Sequence, residues 1–200
     1  MMGKIKSLQA HGCYPKTVYR VFDKLEYATD FLNGRFRFSR IQNYKNIEDA
    51  LRRDDSEGES HVVYNGLSHH SSFASNLVYI LCFHKTLKAA RQSKFGKIIV
   101  KIKNPKKLAA KITAWLEEQP YQYIGGIEGI NIEYTYGQEV DTKPESTERA
   151  RLIYAQKPSY FSDENEFRFV FIRESCEDDH IFIDINGANE LCSILTHEKK

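Results

Sequence analysis

Two carboxylates lie two residues apart at the head of an aromatic segment, Glu164-Asn165-Glu166-Phe167-Arg168-Phe169. In a strand, side chains at i and i+2 share a face, so Glu164 and Glu166 point the same way. Phe167, Phe169 and Phe171 take the opposite face and must pack on a core. The carboxylates are then fixed on a rigid element at the edge of an apolar platform. Close carboxylates repel, which raises the pKa of one of them. Arg168 shares their face and can instead neutralise them. An ordinary solvent-facing charge ladder has the same spacing.

This segment resembles the E-x-E motif of arginine-class ADP-ribosyltransferases, in which the second Glu is catalytic. Arg20, in Val18-Tyr19-Arg20, resembles the Arg on an early strand of that family. Phe36-Arg37-Phe38-Ser39 resembles its strand that ends in Ser. The order Arg, Ser, Glu along the chain is the family's order. Ser39 departs from the pattern, because Arg40-Ile41 follows it in place of Thr-Ser and its distance from Arg20 is short. Tyr44 or a residue near Ser72 is an alternative for that position. The likeness covers these short motifs and not the whole chain.

The resemblance implies an NAD-consuming enzyme, an ADP-ribosyltransferase or NAD glycohydrolase with NAD as substrate and a macromolecule or water as acceptor. Breaking the nicotinamide–ribose bond passes through an oxocarbenium-like centre, as glycosidic cleavage does. Glu166 would stabilise that charge through a ribose hydroxyl, and Glu164 would position or activate the acceptor. Arg20 would grip a phosphate or ribose, since its planar fork suits phosphate oxygens. Ser39 would orient the Glu. Tyr19 or Tyr44 would stack on nicotinamide, and each also reads as plain core or surface. A second likeness runs from Phe38 through Gly58, with Ile47-Glu48-Asp49, Arg53-Asp54 and Glu57-Gly58. It resembles a pattern in uncharacterised bacterial and phage-encoded proteins and implies a setting of conflict between the two.

Other residue groups carry weaker signals. Asp54-Asp55-Ser56-Glu57-Gly58-Glu59 offers oxygen ligands of the kind Mg²⁺ or Ca²⁺ takes. The spacing is not that of an EF-hand, Arg52 and Arg53 are adjacent counterions, and a solvated charged loop explains it better. As metal ligands these acids would make a metal-dependent nuclease; in the bacterial likeness they would shape an active-site rim. His69-His70 lacks a Cys or Glu partner at zinc spacing. Cys82 and His84 share a strand face without a defined hydrogen bond, and His84 reads as a strand end. Gly125-Gly126-x-x-Gly129 lacks the Lys-Ser/Thr of a phosphate loop. Lys85, Lys88, Arg91, Lys94 and Lys97, with Lys101, Lys103, Lys106, Lys107 and Lys111, form the one regional charge bias. Its functional reading is a non-catalytic module that binds nucleic acid or protein through the 85–111 region.

The elements that must position these residues follow from periodicity. Strands are predicted over 17–22, 35–39, 61–64, 77–84, 97–102, 130–136, 164–172 and 180–185. Lys24 to Asn33 reads as a helix stopped by Gly34, and Asn104-Pro105 starts another, with Leu108, Ala109, Ile112, Trp115 and Leu116 as its apolar stripe. Helices are also predicted near 87–92, 149–156 and 188–195. Gly66 to Asn76 and Asp141 to Arg149 read as polar loops. Strands and helices mix without βαβ alternation. This favours an α+β fold, a single compact domain with a mixed, largely antiparallel sheet flanked by short helices.

Length and composition agree. The 200 residues suit one domain, with 1–12 as a loose arm and 196–200 as a charged tail. A net charge of +2 gives no general argument for nucleic acid or a membrane surface. No apolar run reaches the length of a membrane span, and no secretory signal follows Met1. Cys13, Cys82, Cys176 and Cys192 are widely spaced and read as free thiols in a reducing, cytoplasmic compartment. Oligomeric state and acceptor have no sequence signal.

Overall fold

The apolar run from Val78 to Phe83 supplies the central strand of the molecule. A computed structural model of the chain describes residues 10–46, 54–72, 75–119, 123–143, 145–174 and 178–195. The arm up to residue 9, the stretch 47–53, Cys176 and the tail 196–200 lie outside them. The elements are β1 (His11–Gly12), β2 (Val18–Phe22), α1 (Leu25–Leu32), β3 (Arg35–Arg40), β4 (Ser60–Tyr64), β5 (Leu67–Ser71), β6 (Val78–His84) and α2 (Leu87–Gln92). They continue as β7 (Ile98–Ile102), α3 (Pro105–Glu117), β8 (Tyr123–Asn131), α4 (Ser146–Ala155), β9 (Glu166–Arg173), β10 (His180–Asp184) and β11 (Cys192–Leu195). Short 3₁₀ turns cover Ile41–Asn46 and Ser159–Glu164.

The fold is α+β. Nine strands form one sheet in the order β1-β8-β9-β6-β2-β7-β11, with β3 joined to β6 and β10 joined to β3. Among the described residues, only the short β1–β8 pairing in it is parallel. β4 and β5 make a separate hairpin.

On one side β6 pairs with β9 along its whole length, from Val78–Ile172 to His84–Glu166. On the other side it is shared. β2 meets it at Tyr19–His84, and β3 meets it at Ser39–Ile80 and Arg40–Tyr79. Between these contacts β2 and β3 diverge, and the sheet forks. α1 joins the two diverging strands, and its Phe31 packs against Phe22, Phe36 and Phe83. The unpaired backbone of β6 in the fork is met by a side chain, because Arg20 donates from Nη1 to the Cys82 carbonyl at 2.6 Å.

The two faces of the sheet differ. Phe167, Phe169 and Phe171 join Tyr79, Leu81 and Phe83 in the main core, under Phe31 and the stripe Leu108, Ala109, Ile112 and Leu116 of α3. Each buried Phe, Leu or Ile among them stabilises the fold by about 1.5–3 kcal/mol. α3 starts as its sequence predicts, with Asn104 Oδ1 accepting from Lys107 N. The second face carries a smaller cluster of Ile41, Val78, Ile80, Ile130, Ala155 and Val170. Along this face Val170 gives way to Arg168 and Glu166, and Ile80 to Cys82 and His84.

Several local expectations are corrected. Leu67–Ser71 is a strand, because Asn65 and Gly66, with φ of 51° and 74°, make a tight hairpin turn. The segment after Ala188 is not a helix. A brief 3₁₀ turn precedes β11, which pairs with β7 at the sheet edge. β8 begins at Tyr123, so its glycines lie within a strand. Glu164 is not on the strand. It ends the 3₁₀ turn, and Asn165 adopts a left-handed conformation (φ 44°) before β9, which Asn tolerates better than most residues. Among the described residues no helix is long and apolar enough to cross a membrane.

Candidate functional site

Where the second face turns polar, a cavity of about 150 Å³ opens beside the fork. β2 contributes Arg20 and Val21, the turn after β3 contributes Tyr44, and β6 contributes Cys82, Phe83 and His84. Asp54 and Glu57 enter from the loop before β4, and Lys157 follows α4. Glu164 comes from the 3₁₀ turn, and Glu166 and Arg168 from β9.

A buried ion network organises these groups. Arg168 is fully buried. Its Nε donates to Glu166 Oε1 at 2.6 Å, and Nη2 reaches Glu166 Oε2 at 3.3 Å. Nη1 and Nη2 also donate to the two oxygens of Glu57, at 2.5 and 2.8 Å, and Nη1 to the Tyr154 carbonyl at 3.1 Å. The five guanidinium N–H donors therefore all have acceptors, as a buried cation requires. Lys157 Nζ sits 2.8 Å from Glu164 and 2.9 Å from Glu166, with Glu57 and Asp54 farther off at 3.8 and 3.9 Å.

The network sets the protonation states. Burial alone would raise the Glu166 carboxyl, but Arg168 and Lys157 overcome it and hold the group well below the usual carboxylate range. Burial pushes Glu164 up to about 7, with Glu166 adding and Lys157 opposing. Burial also disfavours the charged form of Lys157, yet Glu166 and Glu57 hold it protonated, well above its ordinary value. His84 lies 2.6 Å by Nδ1 from the Glu164 carbonyl, which can only accept, so Nδ1 carries the proton and Nε2 keeps its lone pair. Burial lowers this imidazole's pKa, and raises the Cys82 thiol's.

Of the residues to which the resemblance assigns a role, Arg20, Tyr44, Glu164 and Glu166 line this cavity. Glu164 and Glu166 converge there through Lys157 and not by strand alternation. Ser39 and Tyr19 do not line it. Ser39 pairs with Ile80 and His180 and makes no hydrogen bond to Glu166, whose orientation is fixed by Arg168. Tyr19 serves the β2 pairing with His84 and Lys101.

The acidic loop departs most from expectation. Asp54 and Glu57 are each 2% exposed rather than solvated. Among the described residues no group of three or more His, Cys, Asp or Glu is arranged to hold a metal ion. Lys157 and His84 were legible only as a helix end and a strand end. His61 and His70 stack in the β4–β5 hairpin, with ring centroids 3.9 Å apart. The basic residues of 85–111 are divided. Those around α2 lie beside β2, β6 and the 3₁₀ turn that carries Glu164, whereas Lys106, Lys107 and Lys111 ride on α3 over the other face.

Chemically, four carboxylates and three cations line a pocket that takes one ring-sized group, since a cavity of about this volume accommodates benzene. Chain neighbours of its lining, Asp55 and Pro158, help line an outer concavity of about 470 Å³ with Ser56, Tyr136, Ser159 and Tyr160. Compared with known proteins, the chain matches no family model, no curated protein and no solved structure.

Proposed function

We propose that the chain cleaves the nicotinamide–ribose bond of NAD and passes the ADP-ribosyl group to a macromolecular acceptor or to water. One observation carries the reading. Arg20, Tyr44, Glu164 and Glu166, drawn from three separate segments of the chain, line a single cavity in which Glu166 is held ionised.

The charge balance suits this reaction. The scissile C–N bond breaks with its electron pair leaving on nicotinamide, so positive charge moves onto the ribose. Carboxylates outnumber cations in the lining by four to three, which favours that charge, and Glu166 is preorganised beside it by Arg168 and Lys157. Glu164 titrates near neutrality and takes the proton of the attacking hydroxyl or water as the new bond to ribose forms. The cavity takes one ring of the substrate, the ribose of the scissile bond, with Tyr44 in its lining. The rest of the dinucleotide extends outward, while Arg20, in the cavity lining, is the cation for a ribose or phosphate oxygen. The likeness of residues 38–58 to bacterial and phage-encoded proteins supports a setting of conflict between the two.

The test is nicotinamide release from NAD by purified protein, alone and with bacterial lysate. Glu166→Gln should lower release by about 10²–10³-fold, as loss of one preorganised charge-stabilising group does. Lysate-dependent release would assign a macromolecular acceptor. No release under either condition, or release that Glu166→Gln leaves intact, would overturn the reading.

A further inference from the structure

Two polar atoms in residues that line the cavity lack hydrogen-bond partners, and they are of opposite kind. Asp54 is almost fully buried, yet its Oδ2 accepts no hydrogen bond. Its other oxygen does the local structural work. Oδ1 accepts from Ser56 N at 3.0 Å and Ser56 Oγ at 2.5 Å, which holds the turn that presents Glu57. The nearest cation to Oδ2, Lys157 Nζ, stands 3.9 Å away with Glu164 and Glu166 as its close partners. The second atom is Arg20 Nε, a buried donor without an acceptor, while Nη1 of the same guanidinium is spent on the Cys82 carbonyl.

Buried polar groups are normally satisfied, so an unmatched acceptor and an unmatched donor in the lining of one cavity describe the missing partner. It must donate to a carboxylate and accept from a guanidinium, within a ring-sized volume. A sugar with adjacent hydroxyls does both, because each hydroxyl donates once and accepts as well. A purely apolar ring satisfies neither group, and an ammonium or a free anion satisfies only one.

We propose that Asp54 is a substrate-binding residue whose Oδ2 accepts from a hydroxyl of a ribose ring in the cavity, with Arg20 Nε donating to the same sugar. The assignment rests on the proposed role of this cavity and deepens it. The site takes ribosyl ligands and rejects deoxyribosyl ones. Discrimination arises because removing a hydroxyl leaves the buried carboxylate oxygen unpaired in the complex.

The experiment is calorimetric binding of ADP-ribose, and of its analogue without the terminal ribose hydroxyls, to the unaltered protein and to Asp54→Asn. Neither ligand can be cleaved at nicotinamide, so binding is read apart from catalysis. The unaltered protein should prefer ADP-ribose by about ten- to a hundredfold, the range for a hydrogen bond to a charged group. Asp54→Asn retains an oxygen for Ser56 and should bind both ligands alike. Arg20→Gln, a second variant independent of that turn, should weaken ADP-ribose binding and shrink the same preference. A preference that survives in Asp54→Asn overturns the proposal, as does equal or no binding by the unaltered protein. Absence of nicotinamide release with the preference intact would sink the transfer reaction and leave Asp54 as the sugar contact. Release with an unchanged KM in Asp54→Asn would sink the Asp54 assignment alone.

Discussion

Arg168 and Glu57, 111 residues apart in the chain, face each other as a bidentate pair with nitrogen–oxygen distances of 2.5 and 2.8 Å. Through this contact the loop before β4 is fastened to the central strand pair. The Glu166 side chain is fixed at the same time, because the guanidinium that holds Glu57 also holds Glu166. Fold stability and the geometry of the proposed site therefore share one residue.

Arg168→Met should destabilise the protein by about 3–5 kcal/mol, the usual effect of removing one partner of a buried ion pair. It leaves Glu57 and Glu166 with Lys157 as their remaining cation. Arg168→Lys keeps the charge but cannot reproduce the planar fork, so it should fall between the two. Adding Glu57→Gln to Arg168→Met should restore part of the loss, since the second change removes a stranded charge. Urea unfolding of these three variants, of Glu57→Gln alone and of the unaltered protein checks this. Additive losses in the double variant would show that the pair is not coupled.

Strands whose residues are apolar throughout or strictly alternate, such as β3, β6, β7 and β9, were legible in the sequence because burial imposes that pattern locally. β11 was not, since Cys192 to Leu195 becomes extended by pairing with β7, and nothing within the segment encodes that partner. β5 was obscured by its polar residues, although Asn65-Gly66 carried the hairpin signal. At the site, the carboxylate pair and Arg20 were singled out from spacing and resemblance, although Glu164 reaches the cavity from the 3₁₀ turn and not by strand alternation. Asp54 and Glu57 looked solvated because the cations that bury them, Lys157 and Arg168, lie about a hundred residues away. A charge run reports its neighbours in sequence and not its partners in space.

Gly129→Ala tests a close approach in the main core. A Cβ on Gly129 would lie 2.6 Å from the Tyr14 ring, which packs edge-on against Phe167 and Phe169. Overpacking of this kind costs about 1–3 kcal/mol. The loss should largely disappear when Gly129→Ala is made in a Tyr14→Ala background, because the clashing ring is gone. Equal losses in both backgrounds, measured by thermal or urea unfolding, would place the strain elsewhere.

The pH dependence of the site separates its two carboxylates. Glu166 is depressed in the folded protein, so its stabilising contribution is present above the ordinary carboxylate pKa of 4.5 and is lost as pH falls below it. Glu164 is raised from 4.5 to about 7 by burial, with Glu166 adding and Lys157 opposing. A raised carboxyl binds its proton more tightly when folded. Its contribution is therefore full below pH 4.5 and is lost as pH rises through about 7. Glu164→Gln should remove the decline in stability across that upper window and leave the acid limb of Glu166 in place. The same titration governs the proposed chemistry in the opposite sense, because Glu164 accepts a proton only when ionised. Nicotinamide release should rise through pH 7, falling about tenfold for each unit below it. In Glu164→Gln that slope should vanish and the rate should be low throughout. A pH–rate profile unchanged by this substitution, with the stability profile altered as described, would assign the proton transfer to another group, and His84 with its free Nε2 is the neighbour placed to take it.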